Sequence, residues 1–476
     1  MNKKNSEKDA WITLTILSCL ALITMYGETM LIPAIPYLID DFEISYNMSS
    51  WILTAYLIAG AVMTPIIGKL SDIYGKKKIL VIVIVIYSVG TLLGGLSNDI
   101  FMMMISRIIQ GAGLAMFPVA FAIIREKFPN EKLAIGQGIF TSVFSAGAVI
   151  GLGLGATIVE YFSWHMTFLS IVPLMIILLI VVIRQVRIDS EKLISRKRGI
   201  IDISGTVVLV GIVSTFLTGL TLLPNSISGP NNNQLVIILA LFMTSIAFLS
   251  VFILTQRRAQ SPIIDLNLLK DTVLLPTNIL IMNIGIALFL IYQTLPILIQ
   301  SPTPLGFGGG PLATASVQLP FMILSFVISV ISGFLISKIG NIKPTLAGGI
   351  ISTFGFFLLF VFHPTAFVIS LELCIIAIGL AFAEIGAFNI SLVSAPVSQS
   401  GTSLGITMLL FLIGMSLGPA IAGIYLESFK STVDDTNESY PIPSAYDSIF
   451  VTAVFISILS VILTLVITKR LISKTM

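Results

Sequence analysis

The chain is predicted to be an all-α polytopic membrane protein of fourteen transmembrane helices, and three features of its sequence carry that expectation. First, hydrophobic residues make up 56% of the 476 and charged residues only 10%, with a mean hydropathy of +1.03. A water-soluble fold of this length could not cover itself with so few charges, whereas in lipid the apolar side chains face outward. Second, the apolar residues fall in separate runs close to the roughly 20 residues that a helix needs to cross the hydrocarbon core. Third, Lys and Arg gather between alternate runs, as they do on the inner side of membrane proteins.

The runs are 11–36, 48–69, 79–97, 99–123, 135–158, 167–183, 203–223, 234–254, 275–299, 313–336, 345–362, 366–392, 402–426 and 448–468. The first follows Lys3, Lys4 and Lys8, but it is too long for a signal peptide and no small-residue cleavage site follows, so it is expected to be a retained span. With the N-terminus in the cytoplasm and the sides alternating, 24 of the 26 Lys and Arg fall inside. Arg107 lies within a run, and Lys430 alone lies outside, in a loop that also carries Asp434, Asp435 and Glu438. One missed helix would invert half of these charges. Both termini and the basic loop 184–198 are therefore expected in the cytoplasm, with the chain in the cell membrane.

Other classes are disfavoured on the same evidence. A net charge of +3 offers no surface for nucleic acid. Cys19 and Cys374 lie far apart inside apolar runs, so neither a disulfide framework nor a cysteine metal site is expected. His165 and His363 are the only histidines, with no metal-ligand spacing or nucleophile constellation around them. No cofactor or metal is expected, which leaves a membrane enzyme or sensor as the weakest reading.

A weak duplication runs at an offset of roughly 265 residues. Gly68-Lys69-Leu70 with Asp72 and Gly75 recurs as Gly333-Phe334-Leu335 with Ser337 and Gly340. Gly113-Leu114-Ala115 recurs as Gly379-Leu380-Ala381, and Gly147 and Gly151 recur as Gly414 and Gly418. Two six-helix bundles with two inserted helices follow from this, over 1–198, 199–270 and 271–476. The offset pairs Glu28 with Gln293 and Arg107 with Glu372.

Four groups of residues carry the candidate chemistry. The segment Gly68 to Lys78, with Asp72, Gly75 and Lys76, falls between the second and third runs. Its glycines permit a tight turn and close helix approach, and the Asp72 carboxylate can pair with a base or cap a helix. Arg107 with Gln110 lies in the fourth run, roughly 12 Å along the helix from Asp99. It is either a group facing a hydrated cavity or an arginine reaching to the interface. Gly147, Gly151 and Gly155 in the fifth run form a stripe that lets helices pack closely. Glu28, Glu372 and Glu384 are intramembrane acids, each either a coupling group or a protonated structural acid.

In these residues the chain resembles the major facilitator superfamily, and within it the fourteen-span drug:proton antiporter family. The Gly68–Lys78 segment is similar to the superfamily's signature loop, which would make it a brace of the cytoplasmic gate, with Ile73 where the family usually has Arg. Arg107 to Gly113 resembles the fourth-span motif. Gly147 to Gly155 resembles the antiporter motif, with Leu152 in place of the usual Pro. Glu28-Thr29 with Pro33 and Pro36 resembles the acidic first-span motif, which usually has Asp. Ser163-Trp164-His165 resembles the junction of spans 5 and 6, with His165 for Arg.

The resemblance implies a secondary active transporter that exports amphipathic or cationic small molecules by alternating access, with protons as the coupling ion. No phosphate-binding loop is present in the sequence, so an ion gradient would supply the energy. Uptake or uniport of a small metabolite on the same fold stands as the alternative. The expected partners are a small-molecule substrate, protons and the lipid bilayer.

Overall fold

The computed structural model describes residues 3–128, 130–186, 202–227, 232–259, 270–394, 400–432 and 439–475. Within them the helices are α1 (Lys3–Thr29), α2 (Ile35–Asp41), α3 (Tyr46–Tyr74), α4 (Lys76–Gly95), α5 (Ile100–Gly111), α6 (Met116–Lys127), α7 (Asn130–Tyr161) and α8 (Trp164–Gln185). They continue as α9 (Ile203–Ile227), α10 (Asn232–Arg258), α11 (Leu274–Gln300), α12 (Pro311–Ile339), α13 (Ile342–Val361), α14 (Ala366–Ser394), α15 (Ser400–Ser428) and α16 (Pro443–Thr475). Two three-residue strands, β1 (Lys430–Thr432) and β2 (Ser439–Pro441), pair antiparallel with Ser431 opposite Tyr440.

Thirteen spans among the described residues are long and apolar enough to cross a membrane, and they fall on thirteen of the fourteen expected runs. The remaining run, 203–223, lies within α9, whose apolar stretch covers Ser204–Phe216. Apolar side chains face outward as a membrane-embedded helix requires: on α10, Val236, Leu239, Met243 and Ile246 are all exposed.

Two runs that read as single helices are broken. The first span ends α1 at Thr29, passes through a 3₁₀ turn at Ile32–Ala34 and restarts as α2. Pro33 and Pro36 supply no N–H for continuous i→i−4 bonding, so the ladder cannot run through. The fourth span is α5, a 3₁₀ turn at Ala112–Ala115 and α6. The glycines of Gly111-Ala112-Gly113 lower the cost of leaving α geometry there.

The chain forms two compact units, one of residues 1–34 and 59–202, the other of residues 35–58 and 203–476. In the first, α1 packs on α7 and α4 packs on both α5 and α8. In the second, α11 packs on α15 while α13 packs on both α14 and α16. The inserted helices α9 and α10 pack on each other, and α9 also packs on α15.

The duplication is therefore present in three dimensions, down to single contacts. A Cβ on Gly113 would strike Tyr87, and one on Gly379 would strike Ser352. A Cβ on Gly147 would meet the Leu22 carbonyl, and one on Gly414 the Met282 carbonyl. Gly151 and Gly418 are likewise set against Tyr26 and Ile286. These last contacts correct one expectation. They place α11 at an offset of 260 from α1, not 265, so the counterpart of Glu28 is Leu288 and not Gln293. A change in loop length between the halves shifts the register of that helix alone.

Candidate functional site

The first unit gathers Glu28, Arg107 and Gln110 with two residues that the sequence did not single out, Tyr87 and Thr91. Arg107 and Gln110 lie one turn apart on α5, whose N-terminus is capped by Asp99: its Oδ1 accepts from the Met102 amide at 2.8 Å. Both side chains are fully buried. Arg107 Nη1 donates to Gln110 Oε1 at 2.6 Å, and Gln110 Nε2 donates to Thr91 Oγ1 at 3.1 Å. Thr91 Oγ1 in turn donates to the Tyr87 carbonyl at 2.8 Å. The chain thus ties α5 to α4. Gly90 makes it possible, because a Cβ there would lie 2.6 Å from the Gln110 amide nitrogen.

Glu28 reaches the same cluster from α1. It is 3% exposed, and its Oε1 has no hydrogen-bond partner among the described residues. The Arg107 guanidinium interacts electrostatically with both the Glu28 carboxyl and the Tyr87 phenol. Tyr87 is itself fully buried and wedged between Gly27 and Gly113, either of which would collide with it if it carried a Cβ. Those two glycines were the available signal for Tyr87.

The position of α1 is set by the glycine stripe. Gly147, Gly151 and Gly155 recur every four residues on α7, so they share one face. They lie against Leu22, Tyr26 with Thr29, and Met30 respectively. Thr29 Oγ1 adds a hydrogen bond to the Ala148 carbonyl at 3.1 Å. Glu28 is thus held within one residue of a rigid helix–helix seam.

The Gly68–Lys78 segment differs from the turn expected of it. α3 continues to Tyr74, so Gly68 and Asp72 are helical. The turn is the single residue Gly75, at φ +95°, a conformation that side-chain-bearing residues rarely adopt. Gly340 repeats it at φ +80°. A Cβ on Gly68 would meet nothing within 4 Å among the described residues, so no close approach depends on it. The Asp72 side chain lies outside the described residues. Lys76 pairs with Glu126 of α6 at 2.8 Å, and Lys77 donates to the Ile183 carbonyl of α8 at 2.7 Å. The start of α4 is thereby bound to the ends of two neighbours.

Glu372 and Glu384 are not part of this cluster. Both lie on α14 in the second unit, roughly 18 Å apart along its axis. Glu372 is buried, with Oε2 lacking a hydrogen-bond partner among the described residues, and Glu384 is half-buried. The second unit has its own buried polar network, which the sequence did not reveal. There the Thr407 hydroxyl of α15 donates to Asn278 Oδ1 of α11 at 2.8 Å and accepts from the Ser391 hydroxyl of α14 at 2.5 Å.

Two helical units that repeat each other's packing are the architecture on which many secondary transporters are built. Residues 17–419 match the model of the Major Facilitator Superfamily, and the chain belongs to that family. It is 28% identical over 422 residues to Multidrug resistance protein 3 of Bacillus subtilis (strain 168), covering 87% of this chain and 79% of that one. It is 24% identical over 345 residues to the lincomycin resistance protein of Streptomyces lincolnensis, covering 72% and 68%. The fold is similar to the crystal structure of a mutant of the nucleoside transporter NupG, with a TM-score of 0.66 at 13% identity over 96% of this chain and 99% of that one.

Proposed function

We propose that this transporter exports amphipathic or cationic small molecules in exchange for protons, by alternating access, with Glu28 as the coupling acid. The observation that carries the reading is the buried Glu28 carboxyl, lacking a hydrogen-bond partner on Oε1, within electrostatic reach of Arg107. A buried acceptor left unmade costs roughly 1–3 kcal/mol, so a purely structural acid here would be a poor use of stability. The relatives named for multidrug and lincomycin resistance support export and the class of cargo. Purified protein in liposomes with an imposed pH gradient tests it. Uptake that is indifferent to the gradient, or that runs with the proton, would replace export by symport or uniport.

In this reading Arg107 tunes the acid and Gln110 orients Arg107. Arg107→Ala should therefore uncouple drug movement from the proton gradient in a protein that still purifies as a monodisperse species. Failure to insert or purify would instead assign Arg107 to folding. Glu384 acts in the second unit on cargo range, Glu372 stays a second candidate for coupling, and the Asp72 segment biases the gate. Gly147, Gly151 and Gly155 hold the helix that carries the coupling acid.

The charge distribution supports placing both termini in the cytoplasm and the β1–β2 region outside. In a background without Cys19 and Cys374, Ser439→Cys should react with an impermeant maleimide in intact cells. Ser195→Cys, beyond the described residues, should react only after permeabilisation. Equal labelling of the two would remove this topology.

A further inference from the structure

We propose a second binding site, for small organic ammonium ions, in a recess of the second unit that lies a full helix length away from Lys338. The recess has a volume of about 260 Å³ and is walled by α2, the start of α3, the end of α11, the segment before α12 and strand β2. Its polar wall is made by Tyr37, Asp40, Tyr46, Gln300, Ser301 and Tyr440, and no Lys or Arg lines it among the described residues.

Three properties select the ligand. The first is charge: the Tyr46 phenol interacts electrostatically with Asp40 and Tyr440 of the lining, and Glu427, which also acts on it from outside the lining, is paired with Lys430 at 2.6 Å, so Asp40 supplies the negative charge of the wall. The second is the wall itself. Three tyrosines supply aromatic faces, which attract weakly hydrated cations through the ring quadrupole. A hard divalent ion would instead need about six to eight oxygen ligands, and among the described residues Asp40 is the only carboxylate in the lining. The third is size. Drug-sized sites run from roughly 300 to 1,000 Å³, so this recess fits a substituted ammonium group rather than a whole polycyclic molecule.

The recess is also held in shape. Tyr46 Oη donates to the Ser439 carbonyl at 3.4 Å, which fixes strand β2 to the start of α3. Ser301 Oγ lies 3.3 Å from Tyr446 Oη, and Gln300 Nε2 donates to Thr314 Oγ1 at 2.9 Å. The Gly308 and Gly309 amides donate back to the Ser301 and Ile299 carbonyls at 2.8 Å each. A preformed cage loses little ordering entropy on binding. The site is separate from the Glu28 cluster and does not depend on the coupling role proposed for it.

The test is calorimetric titration of the purified full-length protein with choline and with its neutral isostere, dimethylbutanol. Choline should bind and dimethylbutanol should not. Asp40→Asn should weaken choline by about tenfold, the scale of one cation contact in a partly desolvated site. Tyr37→Ala should do so to a similar degree. Tyr37 is 41% exposed, so its truncation keeps the test valid if Asp40→Asn fails to fold. Glu28→Gln should leave choline binding unchanged. Absence of choline binding, equal binding of dimethylbutanol, or loss of choline in Glu28→Gln with retention in Asp40→Asn and Tyr37→Ala would each overturn the proposal.

Discussion

Glu28→Gln is expected to abolish substrate-induced proton release to background, while the protein folds, inserts and still binds cargo. The substitution keeps the shape of the side chain and removes only its ability to exchange a proton. The seam that holds α1 is made by Gly147, Gly151, Gly155 and Thr29, none of which is altered. Burial and a neighbouring guanidinium act on a carboxyl in opposite senses. That is the condition under which a conformational change can load or release a proton. Glu28→Asp should keep partial activity, since the acid remains at a slightly shorter reach. Glu384→Gln should keep proton release and narrow the range of cargo, because Glu384 lies on α14 of the second unit and is not a member of the Glu28–Arg107 cluster. The measurement is pH-dye release on addition of substrate to each purified variant. If Glu28→Gln still releases protons and Glu384→Gln does not, the coupling acid lies on α14.

Gly151→Leu is expected to destabilise the transporter severely, with little or no folded protein recovered. A Cβ at Gly151 would already meet the Tyr26 carbonyl at 2.7 Å, in addition to colliding with Thr29 Oγ1. Relief would have to come from moving the α1 backbone, since the Tyr26 carbonyl cannot rotate away. Overpacking in a core typically costs about 1–3 kcal/mol when side chains can adjust, and backbone against backbone should exceed that range. Gly418→Leu should behave alike, because Gly418 meets the Ile286 carbonyl at 2.8 Å in the repeated seam. Gly68→Ala supplies the contrast. Nothing described lies within 4 Å of its added methyl, and Ala is favoured over Gly inside a helix by about 1 kcal/mol. The yield of folded protein, and thermal melting of what is recovered, read all three. A Gly151→Leu protein that melts with the parent would refute the seam.

The amino-acid sequence by itself determined that this chain lives in lipid, where its helices lie and how they repeat. Those properties depend on composition and on local periodicity, which a linear text carries in full. It also named Glu28 and Arg107, because an ionisable residue in an apolar run is costly enough to stand out, and Gln110 because it lies one turn from Arg107. Other features depended on distances across the fold. Tyr87 and Thr91 read as ordinary members of the 79–97 run, and only the approach of α5 over Gly90 makes Thr91 the acceptor for Gln110. Pro33 and Pro36 announced a distortion in the first span, and Pro118, which gives the Leu114 carbonyl no N–H to bond, lay just beyond the break in the fourth span at Ala112–Ala115, but the sequence alone did not place that break. Gly68 and Gly75 looked equivalent in the sequence, yet Gly75 alone makes the turn while Gly68 sits inside α3. The register between halves was also a tertiary decision. Matching glycines suggested one offset for the whole chain, whereas the contacts of Gly147 and Gly414 show that α11 is displaced relative to it. Loop insertions move a helix in the sequence without moving it in the fold, so the equivalent positions are those whose backbones meet.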